Sequence, residues 1–513
     1  MPGGGRRSEF KLPMNETKYT PVIETKAPLT QPLSCDPVVN DICEFDFPFA
    51  LEEMPRMLAP DESTTALSDL ASKTITEGRS YSYPPVLFAR KLGDKRILYK
   101  DLTVKGGGTD IHPNVTLFVS KSTEPGTVSY DPNHPIPNVV EENGKTFTVR
   151  YDTRPLVQLT SPLGSHDLQR GLSDRFMSRY LENRGLRTRT MVAAWKIPDD
   201  SLMSTPEGLV TAKQFGTLTN TDPNIEIWAS RCKYRIKDVL RYVYEMENLD
   251  PKPNIMGMKL HPARVDYRNV NKDNQSHYYD PTNYPPEVRQ QLRETFVTLA
   301  NEIRVRAEFD EDPRFSNLAR QFAGGVNDDN ISDFYKEYLK HYSSILGEQF
   351  AVLHNAHAIS GMFNLQNISL LGEIFDHDVT MIDGKVMDEK GKLIEPSPER
   401  LERFKLDRSD PTIDFFNQLS VGYEGIAEME QMLSHTGIIM TNENEIYANL
   451  DRYLQSFKSA ISTSDQINFL QRAKINIPKP THTIANRLFD PFNQDLSTTF
   501  CTNVSKVFAA NDM

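Results

Sequence analysis

An asparagine and an aspartate nine residues apart, with a mostly apolar run between them, constrain this chain more than any other feature. The stretch reads Asn367-Ile368-Ser369-Leu370-Leu371-Gly372-Glu373-Ile374-Phe375-Asp376. The apolar residues Ile368, Leu370, Leu371, Ile374 and Phe375 form a short hairpin-like run. They leave an amide oxygen on a loop at one end and a carboxylate at the end of the following strand. Two hard oxygens presented this way suit Mg²⁺ ions that bridge the phosphates of ATP. Asn and Asp also end strands in many proteins, so the pair needs support from elsewhere in the chain.

That support lies far upstream. Ala89 to Tyr99 reads as two strands joined by a tight Gly93-Asp94 turn. The next strand ends at Lys105 and runs into Gly106, Gly107 and Gly108. A strand lysine followed by backbone without side chains sets one ammonium against the α- and β-phosphates. With Asn367 and Asp376 it makes the two halves of a protein-kinase-like nucleotide site.

Taken together, these stretches resemble the selenoprotein O family of kinase-like protein adenylyltransferases. The family's Leu-Gly-Asp-Gly-Arg reads here as Leu92-Gly93-Asp94-Lys95-Arg96, and its Leu-Lys-Gly-Ala-Gly as Val104-Lys105-Gly106-Gly107-Gly108. Its Asn-Thr-Asp-Asn-Met-Ser-Ile-Leu-Gly motif falls on Asn364 to Gly372, with the later aspartate at Asp376. The resemblance covers roughly residues 84 to 383 with gaps.

The resemblance implies an α+β, two-lobed protein-kinase-like fold with a β-rich N-lobe, a larger helical C-lobe and extensions at both ends. Residues 1–80 would form an N-terminal extension or strap and 81–235 the N-lobe, with an insertion at about 110–161. Residues 236–400 would form the C-lobe and 401–513 a C-terminal helical extension. The implied activity is metal-dependent transfer of AMP from ATP to a hydroxyl side chain of a protein, with Mg²⁺ or Mn²⁺ as the metal. Gly93, Arg96, Lys105, Gly106, Gly107, Arg231 and Arg235 would face the nucleotide. Asn367 and Asp376 would hold the metal, and Lys105 would pair with an acid on the following helix. That acid is Glu in the family and Asp174 here; a helix N-terminal acid favoured by the dipole is the plainer reading of Asp174. Arg231 to Arg235 reads equally as a solvated basic turn.

Two departures matter. The family's Asp-Gly-Arg motif is reduced to Leu163-Gly164-Ser165. Gln366 stands where the family has the aspartate that takes the hydroxyl proton, and an amide is no base near neutral pH. A missing base costs roughly 10²–10⁴-fold in rate. One outcome is that a different base serves, for example Asp378. The other outcomes are an ATP-binding pseudoenzyme that serves as an interaction protein, or a ligase such as a protein glutamylase, whose carboxylate acceptor needs no strong base.

Composition narrows the classes further. At 513 residues the chain exceeds one typical domain. A net charge of −12 argues against nucleic-acid binding, which needs a clustered basic surface. No run of 18 apolar residues is present, so no membrane span is expected. The four cysteines share no Cys-x-x-Cys spacing, and Arg6 and Arg7 precede no apolar core of a signal peptide. The expected location is therefore cytoplasmic, or exported without a recognisable signal.

Along the chain, residues 1 to about 45 read as a tail or a strap lying on the surface. Helices are expected over Thr64–Thr76, Ser173–Gly185 (capped by Ser173), Ile236–Glu247, from Pro285 through Ile303, through Phe334–Ile345, and over Pro396–Leu406 and Asn444–Ile461. A hairpin is expected at Asn143-Gly144, a hairpin or loop at Asp383-Gly384, and an irregular tail beyond Ile477. His354 and His357, at i and i+3, are a minor metal candidate that lacks a third ligand.

Overall fold

The computed structural model describes residues 36–41, 44–46, 80–82, 87–92, 95–106, 117–120, 139–142, 145–151, 166–200, 202–205, 208–219, 221–236, 239, 286–360, 365–398, 411–435, 437–439, 443–474 and 496–509. The expected helices at Thr64–Thr76 and Pro396–Leu406 lie outside this set almost entirely, as does Ile236–Glu247 beyond its first turn. Within the described residues the protein is a mixed α+β structure whose sheets are antiparallel.

The strands are β1 (Asp36–Asn40), β2 (Phe45–Asp46), β3 (Ser80–Ser82), β4 (Phe88–Leu92), β5 (Lys95–Tyr99), β6 (Asp101–Lys105), β7 (Leu117–Ser120), β8 (Val139–Glu142), β9 (Lys145–Tyr151), β10 (His166–Asp167), β11 (Thr190–Lys196), β12 (Leu202–Thr205), β13 (Gly208–Thr211), β14 (Pro223–Ser230), β15 (Ala358–Ser360), β16 (Thr380–Ile382), β17 (Lys385–Met387) and β18 (Leu393–Ile394). The helices are α1 (Leu168–Glu182), α2 (Ala212–Thr219), α3 (Pro286–Ala307), α4 (Pro313–Gln321), α5 (Ile331–Asn355), α6 (Pro411–His435), α7 (Glu443–Ser459), α8 (Thr463–Lys474) and α9 (Leu496–Ala509).

The six-stranded sheet runs β1-β11-β14-β6-β3, with β10 added beside β14. Its centre is apolar on one face, where Val104, Val192, Ile225, Ile227 and Ala229 are fully buried. The other face of β14 presents Asn224, Glu226 and Trp228 at the two-residue period of a strand. Helix α1 lies against that face: a Cβ on Gly171 would come within 1.6 Å of the Glu226 carboxylate.

Helix α1 begins earlier than the sequence suggests. Asp167 caps it by accepting from the Gln169 amide at 3.3 Å, while Ser173 sits inside the helix and donates to the Gln169 carbonyl. Both residues are good N-caps, and the earlier one also joins β10. Gly185 does end the segment, at a φ of 97°. Met177 and Leu181 of α1 belong to the same buried core as helices α3 to α9. One helix thus packs on the sheet with one side and on the helical mass with the other.

The helical mass follows its stripes. Phe296, Leu299 and Ile303 of α3 and Phe334, Tyr338, Tyr342 and Ile345 of α5 are fully buried, each contributing about 1.5–3 kcal/mol by removal from water. Leu450, Leu454 and Phe457 of α7 close on α5. Gly347 permits the close crossing, since a Cβ there would lie 2.2 Å from the Tyr453 carbonyl oxygen. The tail beyond Ile477 is not irregular throughout: α9 buries Phe500, Val504, Val507 and Phe508, one face of a helix, in this core. Among the described residues no helix is long and apolar enough to cross a membrane.

Three links tie the sheet and the segment that follows β14 to the rest of the fold. Arg306 of α3 reaches the start of β6, its Nε and Nη2 donating to the two Asp101 oxygens at 2.6 and 2.7 Å, with both side chains 0% exposed. The Lys233 amide donates to the same carboxylate at 2.8 Å. Glu373, equally buried, accepts the amides of Arg231 and Cys232 at 2.9 Å each.

Of the expected surface tail, residues 1–35 lie outside the described residues, whereas β1 pairs with β11 and β2 with β4, so residues 36–40 and 45–46 are woven into sheets. Strands β8 and β9 flank Asn143-Gly144 as a hairpin, and β16 and β17 meet around Asp383-Gly384, both at positive φ.

Candidate nucleotide site

Three side chains far apart in sequence converge beside the sheet. Lys105, the last residue of β6, places Nζ 2.8 Å from Asp376 Oδ1 and 3.7 Å from Asp174 Oδ2. Asp174 sits in the second turn of α1, beyond the reach of a simple helix-terminus role, and its side chain is 3% exposed. Its other oxygen accepts the His377 amide at 2.9 Å. The shorter side chain of aspartate therefore still meets the lysine.

Asp376 follows a tight loop. Ile368 bridges Ile374, the Phe375 amide donates to the Asn367 carbonyl at 2.8 Å, and the Ser369 amide donates to Glu373. The loop is held from below by phenols of α5: Tyr338 donates to the Leu370 carbonyl at 2.7 Å and Tyr342 to that of Ser369 at 3.1 Å. Asp376 itself adopts a left-handed φ of 60°, a conformation Asp tolerates better than most residues.

The residue that the sequence reading missed is Arg189. Its Nη2 lies 2.5 Å from both Asp174 Oδ2 and Asp376 Oδ1, and its guanidinium stacks 4.3 Å from the Trp228 ring. Burial would raise the pKa of either carboxyl, but Arg189 and then Lys105 hold Asp174 below and Asp376 well below the usual carboxylate range. Arg235 adds to the field on Asp376 and approaches the Phe375 ring. The one available signal was the alternation Arg187-Thr188-Arg189-Thr190 running into the apolar stretch Met191 to Trp195 of β11.

The remaining expected residues are placed as follows. Gly106 is described, buried, at a φ of 75°, and a Cβ there would lie 2.3 Å from the Asn224 carbonyl oxygen. Gly93 and Gly107 lie outside the described residues. Arg96 is exposed on β5, in the separate sheet β2-β4-β5. Arg231 is not a solvated turn residue: it is 5% exposed, and its partners are Glu311 at 2.5 Å and Glu373 at 3.3 Å rather than Asp174 or Asp376. Gln366 lies in the 3₁₀ turn Leu365–Asn367. Asp378 pairs with Arg170 at 2.5 Å, and burial pushes its carboxyl above the ordinary value despite that partner.

Asn367 bears on the metal. It is 3% exposed, and its Oδ1 has no hydrogen-bond partner among the described residues. A buried amide oxygen left so costs roughly 1–3 kcal/mol. With the Asp376 carboxylate it offers two hard oxygens, a donor set that fits Mg²⁺ or Mn²⁺ with phosphate and water oxygens completing the shell. The histidine pair does not join into one site: α5 ends at Asn355, His354 faces Asp465 at 3.4 Å, and His357 faces Asp383 at 3.1 Å. No family model matches the chain, and no curated protein matches it significantly.

Proposed function

We propose that this protein is a kinase-like nucleotidyltransferase that moves AMP from ATP to a hydroxyl side chain of a protein. The observation that carries the reading is the convergence of Lys105 with Asp174 and Asp376. Strand lysine, helix acid and loop aspartate, in that chain order, are the parts with which kinase-like proteins hold a nucleotide. On this reading the sheet with α1 is the smaller lobe and the helices the larger one.

Asn367 and Asp376 would hold Mg²⁺ or Mn²⁺, which when bound neutralises phosphate charge. The chain's own residues do the rest by position and charge. Lys105 and Arg189 face the carboxylates of both Asp174 and Asp376, and Arg235 adds to the field on Asp376, so a polyphosphate here would meet three cationic side chains. Gly106 brings backbone close where a side chain would collide. Asp378, whose carboxyl burial pushes above its ordinary value, is the carboxylate nearest in sequence to Asp376 and the candidate base on this reading.

One observation favours a second reading, an ATP-binding pseudoenzyme. Asp376 Oδ1 already carries two cationic partners, and Gln366 supplies no base. A glutamylase-type ligase remains the chemical variant in which that base is unnecessary. Labelled-ATP incorporation into the purified protein with Mg²⁺ or Mn²⁺, beside Asp376→Ala, tests the proposal. AMP label that vanishes in the variant supports transfer. Metal-dependent ATP binding without label supports the pseudoenzyme, and neither label nor binding overturns both.

A further inference from the structure

The acid partner of Lys105 is carried by a helix that is itself tied down by the N-terminal segment. Strand β1 pairs with β11, and the chain continues with the Asp41 amide donating to the Val192 carbonyl at 3.0 Å. From that fixed backbone, Asp41 Oδ2 accepts Arg175 Nε and Nη2 at 3.1 and 2.7 Å and Arg179 Nη2 at 2.7 Å. Glu44 accepts Arg179 Nη2 at 3.1 Å and Arg90 Nε at 3.0 Å, and Arg90 Nη1 reaches Glu182 at 2.6 Å. Arg175, Arg179 and Glu182 all belong to α1, and Arg175 directly follows Asp174.

The topology gives these contacts a direction. Strand β1 lies at one edge of the sheet and β6 lies beyond β11 and β14. Helix α1 is thus fastened on the β1 side through Asp41 and Glu44, and farther along the sheet through Asp174 with Lys105 of β6 and with Arg189 ahead of β11. Loss of the first fastening lets the helix shift relative to β6, and the 3.7 Å separation of Asp174 and Lys105 has little slack. Charge-assisted hydrogen bonds to arginine at these distances are the strong kind, and none of the residues involved is needed to touch a nucleotide.

We infer that Asp41 and Glu44 are positioning residues for the nucleotide site, and that residues 36–41 and 44–46 form a strap that holds α1 in register with Lys105. The inference rests on the nucleotide-site reading for its functional consequence. Its structural half stands apart: the strap sets the helix whatever the site binds.

The test uses the full chain carrying Asp41→Asn with Glu44→Gln, and a control, Val507→Ala, in the remote core of α9. Two quantities are read: the Kd for ATP with Mg²⁺, and protection of the α1 amides from hydrogen exchange relative to those of α5. The strap variant is expected to raise Kd roughly ten- to hundredfold, the cost of misplacing a binding group by about an ångström, and to lose α1 protection selectively. Val507→Ala lowers the melting temperature without either change, and Asp41→Glu restores part of the affinity. An unchanged Kd with intact α1 protection overturns the inference. If the unaltered protein binds no ATP, the nucleotide reading fails, and selective loss of α1 protection still decides the strap.

Discussion

Replacing Arg306 by Met should cost this protein more than almost any other single change away from the candidate site. Arg306 and Asp101 are both 0% exposed and joined by two bonds of 2.6 and 2.7 Å. Met preserves much of the aliphatic volume but leaves the Asp101 carboxylate buried without its arginine, the Lys233 amide still donating to it. Breaking a buried ion pair from one side costs about 3–5 kcal/mol, because an uncompensated charge is left in a poorly polarisable interior. With a urea slope of about 3 kcal/mol/M, the midpoint should fall by roughly 1–1.7 M. Asp101→Asn added to Arg306→Met removes the stranded charge while an acceptor for Lys233 remains. The double variant should therefore recover at least about 1.5 kcal/mol of the loss, a coupling typical of contacting residues. Urea unfolding followed by tryptophan fluorescence suits the question, since Trp228 lies on the strand next to β6. A single-variant loss below about 1 kcal/mol, or a double variant whose losses simply add, would refute the argument that this pair is the principal electrostatic tie between β6 and α3.

Other outcomes follow from the same geometry. Asp376→Ala should abolish both AMP labelling and metal-dependent stabilisation by ATP in a thermal shift. Gly106→Ala should weaken ATP binding, measured by equilibrium dialysis, because the new Cβ would meet the Asn224 carbonyl at 2.3 Å in a left-handed conformation. Gly347→Ala should lower stability by roughly 1–3 kcal/mol through overpacking where α5 crosses α7, read as a shifted denaturation midpoint. Glu311, held down to about 2 from an ordinary 4.5 by Arg231 and Arg187 against the opposing effect of burial, binds protons more readily unfolded than folded. Its stabilising contribution is therefore complete above about pH 4.5 and lost as the pH falls toward 2. Glu311→Gln should flatten that part of the acid stability profile.

The parts of this fold written in local patterns were legible from the sequence. The stripes of α3, α5 and α7 repeat at helical spacing, and the loop from Asn367 to Asp376 closes within one short stretch of chain. Even α9 had a readable stripe in Phe500, Val504, Val507 and Phe508, masked by a segment rich in Ser and Thr. What escaped was the charge network. Arg189 reaches Asp376 across 187 positions and Asp41 reaches Arg175 across 134, and a surface arginine and a buried one look alike until the partner's location is known. Arg231 failed for the converse reason: a run of Arg, Cys, Lys, Tyr and Arg reads as wet, yet Glu373 and Glu311 take it into the interior.

The phenols beneath the Asp376 loop carry a consequence for how the protein folds. Tyr338 and Tyr342 lie within one continuous helix, whose contacts are local and form early, whereas the loop they hold spans contacts to Arg187, Tyr234 and the sheet. Chain segments that depend on distant partners incur loop-closure entropy first and gain their contacts last. The helix is then a template present before its loop, and the aspartate at the loop's end acquires its left-handed backbone only on docking to it. During refolding, helical signal should precede the appearance of any binding competence, so that a partly folded chain has a helical core but no functioning site.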